Sequence, residues 1–237
     1  MQMFLKILLI GCYVFFLGTG KPRQSFAMSA MNTSNYIDPL LLINKAQSLL
    51  KEGDLVLRLN TDPASQYIKE FSRGDKSYSH AGLVVVENGY PYVYHIVNGA
   101  ENPGEKLRKD SLKQFCNPRR NVAFGVYRYD FSSAEIRTLH KLLLQWHAKA
   151  IGFDSTFNFK SDDRMYCSEM ISKALARVTH GRIVPATILP TATQAALFSS
   201  YMHLPYSYTS KMNVVPIDNL YLHSNCHIVK RYTYFLD

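Results

Sequence analysis

The stretch "SHAGLVVVENGYPYVYHIVNG", Ser79 to Gly99, limits what this chain can fold into more than any other segment. Two β-branched and aromatic runs flank Asn88-Gly89, a dipeptide that tolerates positive φ at both positions and so suits a two-residue hairpin turn. That turn pairs Ala81 with Ile96 and sets His95 opposite Gly82, two residues from His80. Because side chains alternate along a strand, His80 and His95 then share a face. Diagonal neighbours lie roughly 7–8 Å apart at Cα, within reach of two imidazoles. A longer turn that takes in Tyr90 and Pro91 draws the histidines closer to opposition. The residues alone leave two readings open: a working pair, or two hydrogen-bonded core histidines.

A second feature is "RMYCSEMISKALARV", Arg164 to Val178. Ile171, Leu175 and Val178 recur at three- and four-residue spacing, which predicts an amphipathic helix beginning near Cys167. Backbone N–H groups in a first helical turn lack intrahelical partners, and the dipole there favours an anion. A thiol so placed is expected to ionise more easily than in free solution. The competing reading is a small buried apolar side chain. A nucleophilic role needs a base, and eight histidines are available. His140 and His147 lie seven residues apart on one long helix, His180 sits at a helix end, and His203, His223 and His227 fall in a poorly patterned tail. His80 and His95 alone share a hairpin.

Around these segments the chain reads as strands followed by helices. "PLLLINKAQSLLKEGD" predicts a helix ended by Gly53, "DLVLRLN" a strand, "ASQYIKEFS" a short helix and "NVAFGVYRY" another strand. "SSAEIRTLHKLLLQWHAKA" begins with a Ser-Ser-x-Glu cap and reads as a long helix. Beyond Pro185 the pattern weakens until "CHIVKRYTYF" closes as a strand. The order argues for an α+β domain built on an antiparallel sheet, or a partly open barrel, packed against helices. No repeat or low-complexity tract interrupts it.

Lys6 followed by the apolar run Ile7 to Leu17 and the small residues Gly18 to Gly20 reads as a leader, residues 1–20, and as too short for a membrane span. Residues 21–36 read as a linker and residues 37–237 as one domain. "LIGC" ending at Cys12 has the residue types of a lipoprotein processing site, although the apolar run continues past it. Export permits disulfides, and without Cys12 three cysteines remain. A Cys116–Cys226 bridge leaving Cys167 free is the economical partition; three unpaired thiols is the other. The formal charge of +9, to which the leader adds only Lys6, favours anionic surfaces such as cell wall or lipid headgroups. Nucleic acid is not expected as a partner, because the basic residues are scattered. No metal or cofactor is expected, since no Cys or His pair has a recognised ligand spacing.

"GDLVL", "SHAGLVV", "YVYHIVNG", "FDSTF" and "YCSEM" occur in the order and rough spacing of the permuted papain-like hydrolases. The chain resembles the YiiX-type branch of the NlpC-like cysteine peptidases over residues 44–178, with a weaker echo in "VVPIDNL". The resemblance implies a circularly permuted papain-like fold in which Cys167 is the nucleophile and His80 the general base. Related lecithin:retinol acyltransferase-like enzymes carry a second histidine in the next strand, a place that His95 matches, with Glu87 as the fallback. The Cys167 N–H becomes the oxyanion donor. Glu169, Asp54 and Asp154 read as supporting residues that satisfy backbone N–H groups. The function implied is an exported cysteine hydrolase of the periplasm or cell envelope, cleaving a cell-wall peptide amide or a lipid acyl ester or thioester. The alternative is a non-catalytic envelope-binding protein on the same fold. A working triad further requires His80 to lie on the Cys167 side of the sheet, with a ring nitrogen within about 4 Å of the sulfur.

Overall fold

The computed structural model describes residues 38–234; the leader, the linker and Cys12 lie outside the described residues. Helix α1 (Pro39–Gln47) starts on Asp38, whose carboxylate accepts from Leu40 N–H. It stops well before Gly53. Lys51 N–H donates instead to Asp54 Oδ2, and Gly53 takes φ +81° in the turn that enters β1 (Leu55–Asn60). After α2 (Pro63–Lys69) come β2 (His80–Glu87) and β3 (Tyr90–His95). Then follow β4 (Arg108–Ser111), α3 (Leu112–Phe115), β5 (Asn121–Tyr129), α4 (Ser133–Ala148), β6 (Gly152–Phe153), β7 (Arg164–Met165) and α5 (Cys167–Val178). Helices α6 (Ala192–Met202), α7 (Tyr206–Thr209) and α8 (Ile217–Tyr221) precede β8 (Cys226–Thr233). The weakly patterned tail is therefore partly helical.

Six strands form one antiparallel sheet in the order β4-β3-β2-β1-β5-β8, open at β4 and β8. The β2–β3 register is the one the turn dipeptide predicts: Glu87 pairs with Tyr90 and Leu83 with Tyr94. Asn88 and Gly89 both have positive φ, 51° and 79°. The chain thus has an α+β fold with helices on both faces of the sheet.

Alternation divides the core in two. Leu55, Leu57, Ala81, Leu83 and Val85 pack with α4 and α5 residues such as Leu139, Leu143, Ile171 and Leu175. Val56, Val84, Val93, Phe124 and Val126 pack with Ile43 of α1 and with Leu112 and Phe115 of α3. This division overturns the expected disulfide. Cys116 is buried in the second cluster, Cys226 packs against the first, and both thiols are free. With the sheet between them they have no path to a bridge, whose Cα atoms must come within about 7 Å. No helix among the described residues is long and apolar enough to cross a membrane.

Candidate active site

Cys167 is the first residue of α5, as the periodicity predicts. The helix start is clamped on three sides. Tyr166 N–H donates to Glu169 Oε2 (3.2 Å), Ser168 Oγ donates to Val215 O (2.7 Å), and Tyr166 Oη accepts from Val215 N–H (3.1 Å). Glu169 also pairs with Lys173 at 2.8 Å, and burial pushes its carboxyl up to about 7. Asp154 accepts from Thr156 N–H, and Asp54 meets Arg128 Nε at 2.7 Å besides capping Lys51. All three acids brace backbone, as read from the sequence.

His80 Nε2 lies 3.0 Å from His95 Nδ1, and His95 Nε2 lies 3.1 Å from Asp110 Oδ2. Arg108 holds the other oxygen, Asp110 Oδ1, through Nε (3.0 Å) and Nη2 (2.6 Å). His95 and Arg108 keep the Asp110 carboxyl below its ordinary range against the opposing effect of burial. An ionised Asp110 only accepts. His95 Nε2 must therefore carry a proton, its Nδ1 must accept from His80 Nε2–H, and His80 Nδ1 is left with a free lone pair. One carboxylate on β4 thus dictates the tautomer of His80, two strands away. Burial, followed by Arg58, His95 and Arg108, holds His80 well below the usual histidine range, so its ring is neutral at neutral pH.

The site has a firm back wall. The Phe115 ring lies 5.6 Å from the His80 ring and 4.9 Å from the His95 ring, and the Arg58 guanidinium lies over the Phe115 ring at 4.6 Å from its centre. Arg58 is the cross-strand partner of His80; it donates to Phe115 O at 2.7 Å and pairs with Glu101 at 2.7 Å. Gly82 is a necessity of this geometry: a Cβ there would stand 3.1 Å from His95 Cβ and 2.5 Å from Val93 Cγ1.

Two expectations about Cys167 change. Burial raises its thiol to about 11, and the helix-start N–H of Ser168 and the N–H of Ala81 recover only part of that rise. Desolvation of an anion outweighs the helix start. Furthermore, His80 packs with Phe115 on the α1/α3 face, whereas α5 lies on the opposite face with Ala81. The expected placement of His80 on the Cys167 side of the sheet is therefore not what strand alternation gives; the two residues share a site only at the start of β2, of which His80 is the first residue. There they line one cavity of about 400 Å³, with Asn60, Ser65, Glu101 and Tyr201. Among the described residues no hydrogen bond joins Cys167 to His80, and none of the groupings of His, Cys, Asp and Glu could hold a metal ion.

Sequence reasoning missed Asp110 and Arg58. Asp110 sits on a four-residue strand, "RKDS", too short and too charged to show alternation; only its pairing with Val93 places it behind His95. Glu87, the fallback, is at the far end of the hairpin, bound to Tyr94 Oη and Lys109.

The family model described as "Permuted papain-like amidase enzyme, YaeF/YiiX, C92 family" matches residues 49–216. The chain belongs to this family. Its matched span holds both histidine strands and the cysteine helix in the permuted order. Within the permuted papain-like amidases, the chain is 29% identical over 122 residues to the uncharacterized protein YiiX of Escherichia coli strain K12. That match spans 51% of this chain and 55% of the relative, so just over half of the relative's length is represented. A crystal structure titled metalloprotein YiiX, from Escherichia coli O157:H7, superposes with a TM-score of 0.62 at 20% identity. It covers 77% of this chain and 98% of that one, and the likeness is one of fold.

Proposed function

We propose that this chain is a cysteine hydrolase in which Cys167 attacks a carbonyl, His80 Nδ1 takes the thiol proton, and an acyl-enzyme is then released by water. The observation that carries the reading is the continuous chain from His80 through His95 to Asp110, ending in the cavity that Cys167 also lines. His95 orients His80, and Asp110 holds His95 in the tautomer that leaves the base free. The resting pair is a neutral thiol and a neutral imidazole, so proton transfer accompanies attack rather than preceding it. Catalytic hydrogen bonds that are loose without substrate commonly tighten in the complex. The Cys167 N–H, at the open start of α5, supplies an oxyanion donor. The substrate is an amide or an activated acyl ester. The proposal places the enzyme outside the cytoplasm, in the periplasm or envelope; the apolar run behind Lys6 and the charge of +9 support that placement.

The test is covalent labelling with a chloroacetamide probe followed by peptide mapping. Label on Cys167, absent in Cys167→Ala and strongly slowed in His80→Ala at unchanged melting temperature, supports the hydrolase. The buried thiol raised to about 11 favours a second reading, a binding domain on the same fold. A folded protein whose Cys167 stays unlabelled would select it.

A further inference from the structure

Cys167 lines two cavities that differ in polarity. The larger, of about 400 Å³, is bordered by Asn60, Glu101, Arg120 and His80. The smaller is a slot of about 30 Å³ that also reaches the cysteine, walled by Ile68, Phe71, Phe157, Val214, Pro216 and Ile217. Cys167 and Ile68 line both.

The polar side chains at the slot are already engaged. Ser168 Oγ donates to Val215 O, and Tyr166 Oη accepts from Val215 N–H. Both polar side chains at the slot already hold a backbone partner and the other walls are apolar, so a charged group entering it would lose its water for little compensation. The far wall is closed as well. Phe157 stacks on Tyr166 at 4.6 Å and meets Phe198 edge-on at 4.8 Å, and Phe198 in turn meets Phe71 at 5.4 Å. A water needs about 10–15 Å³ of such space, so the slot admits roughly two water-sized groups.

We propose that the slot is a specificity subsite for a short apolar substituent, methyl to ethyl in size, on the acyl group that Cys167 attacks. The polar remainder of the substrate lies in the larger cavity. This deepens the hydrolase reading and rests on Cys167 being its nucleophile. The substrate class it names is an amide or activated ester of a small acyl unit, such as an alanine-sized residue, rather than a long-chain lipid ester. The chain length that fits is set by Phe71 and Phe157, which Phe198 backs from behind, and the width by Ile68.

The experiment reacts the full chain with chloromethyl ketones whose alkyl group runs from methyl through ethyl, propyl and pentyl to nonyl. Labelling of Cys167 is followed by mass spectrometry, with each rate divided by that of the same reagent with free glutathione. In alkylation the thiolate carbon–sulfur bond forms as chloride leaves, and the thiol proton passes to His80. The expected result is a normalised rate that falls about tenfold or more between ethyl and pentyl, the scale on which a pocket rejects extra methylenes. Ile68→Ala, at a half-buried position, should shift that fall to longer chains, and Phe71→Leu provides a second, milder enlargement. Pentyl and nonyl reagents that label as fast as methyl in the parent chain overturn the subsite but leave the nucleophile standing. A folded chain that none of the reagents labels at Cys167 overturns both.

Discussion

His80 and His95 stand on neighbouring strands with Nε2 and Nδ1 3.0 Å apart, and their rings are nearly perpendicular at 79°. That one contact ties the start of β2 to the end of β3. It also transmits the charge of Asp110 to the cavity, since the proton positions along the chain follow from the carboxylate.

Asp110→Asn should therefore disable a base that it does not touch. An amide that turns its NH₂ toward His95 Nε2 reverses both tautomers and leaves His80 Nδ1 protonated. The activity should fall by about 10²–10⁴, the range that general-base assistance supplies. His95→Asn, which removes the orienting ring itself, should leave weak but measurable activity. Steady-state kinetics on any turned-over ester checks both, and activity at parental level in Asp110→Asn would refute the relay.

The pH dependence of labelling should distinguish a neutral pair from a preformed ion pair. His80 is held well below the usual histidine range and the Cys167 thiol up at about 11. The alkylation rate of the parent chain should rise with pH through the neutral range, with no thiolate plateau between pH 5 and 7. His80→Ala should abolish the neutral-pH component and leave only the reaction of the thiolate near its own pKa. A plateau in the acid range would show an ion pair instead.

Gly82→Ala should be costly although glycine's φ there is ordinary. The new methyl would meet Val93 Cγ1 at 2.5 Å and Tyr94 O at 3.0 Å, and would push on His95 Cβ at 3.1 Å. Overpacking of this kind costs about 1–3 kcal/mol. Denaturant unfolding measures that loss, and labelling should slow beyond it because His95 is displaced from His80.

Glu169 gives a stability signature with a definite sign. Its folded pKa is raised from 4.5 to about 7, so the folded state holds the proton more tightly than the unfolded one. The stabilisation is full below about 4.5 and is lost as pH rises through about 7. Glu169→Gln removes that dependence while keeping an acceptor for Tyr166 N–H, and Lys173 retains Asp162 at 3.2 Å. The melting temperature of the parent should fall relative to the variant between pH 4.5 and 8. A constant difference across that window would contradict the raised pKa.

Sequence by itself determined the elements whose causes are local. Asn88-Gly89 announced the hairpin and offered the two-residue turn whose pairing the structure adopts, while the longer turn through Tyr90 and Pro91 stayed open until the β2–β3 pairing chose between them. Ser132 and Glu135 marked the start of α4 through a capping box, and the 3–4 spacing after Cys167 marked α5. Tertiary structure decided everything that depends on what lies across the sheet. Asp110 became part of the site through β3–β4 pairing, Arg58 through its place opposite His80, and Cys116 and Cys226 were separated by the sheet itself. The thiol shows the reason most directly. A helix start lowers a thiol pKa through neighbouring N–H groups that can be read in the chain, whereas desolvation depends on the whole surrounding fold, and at Cys167 desolvation is the larger effect.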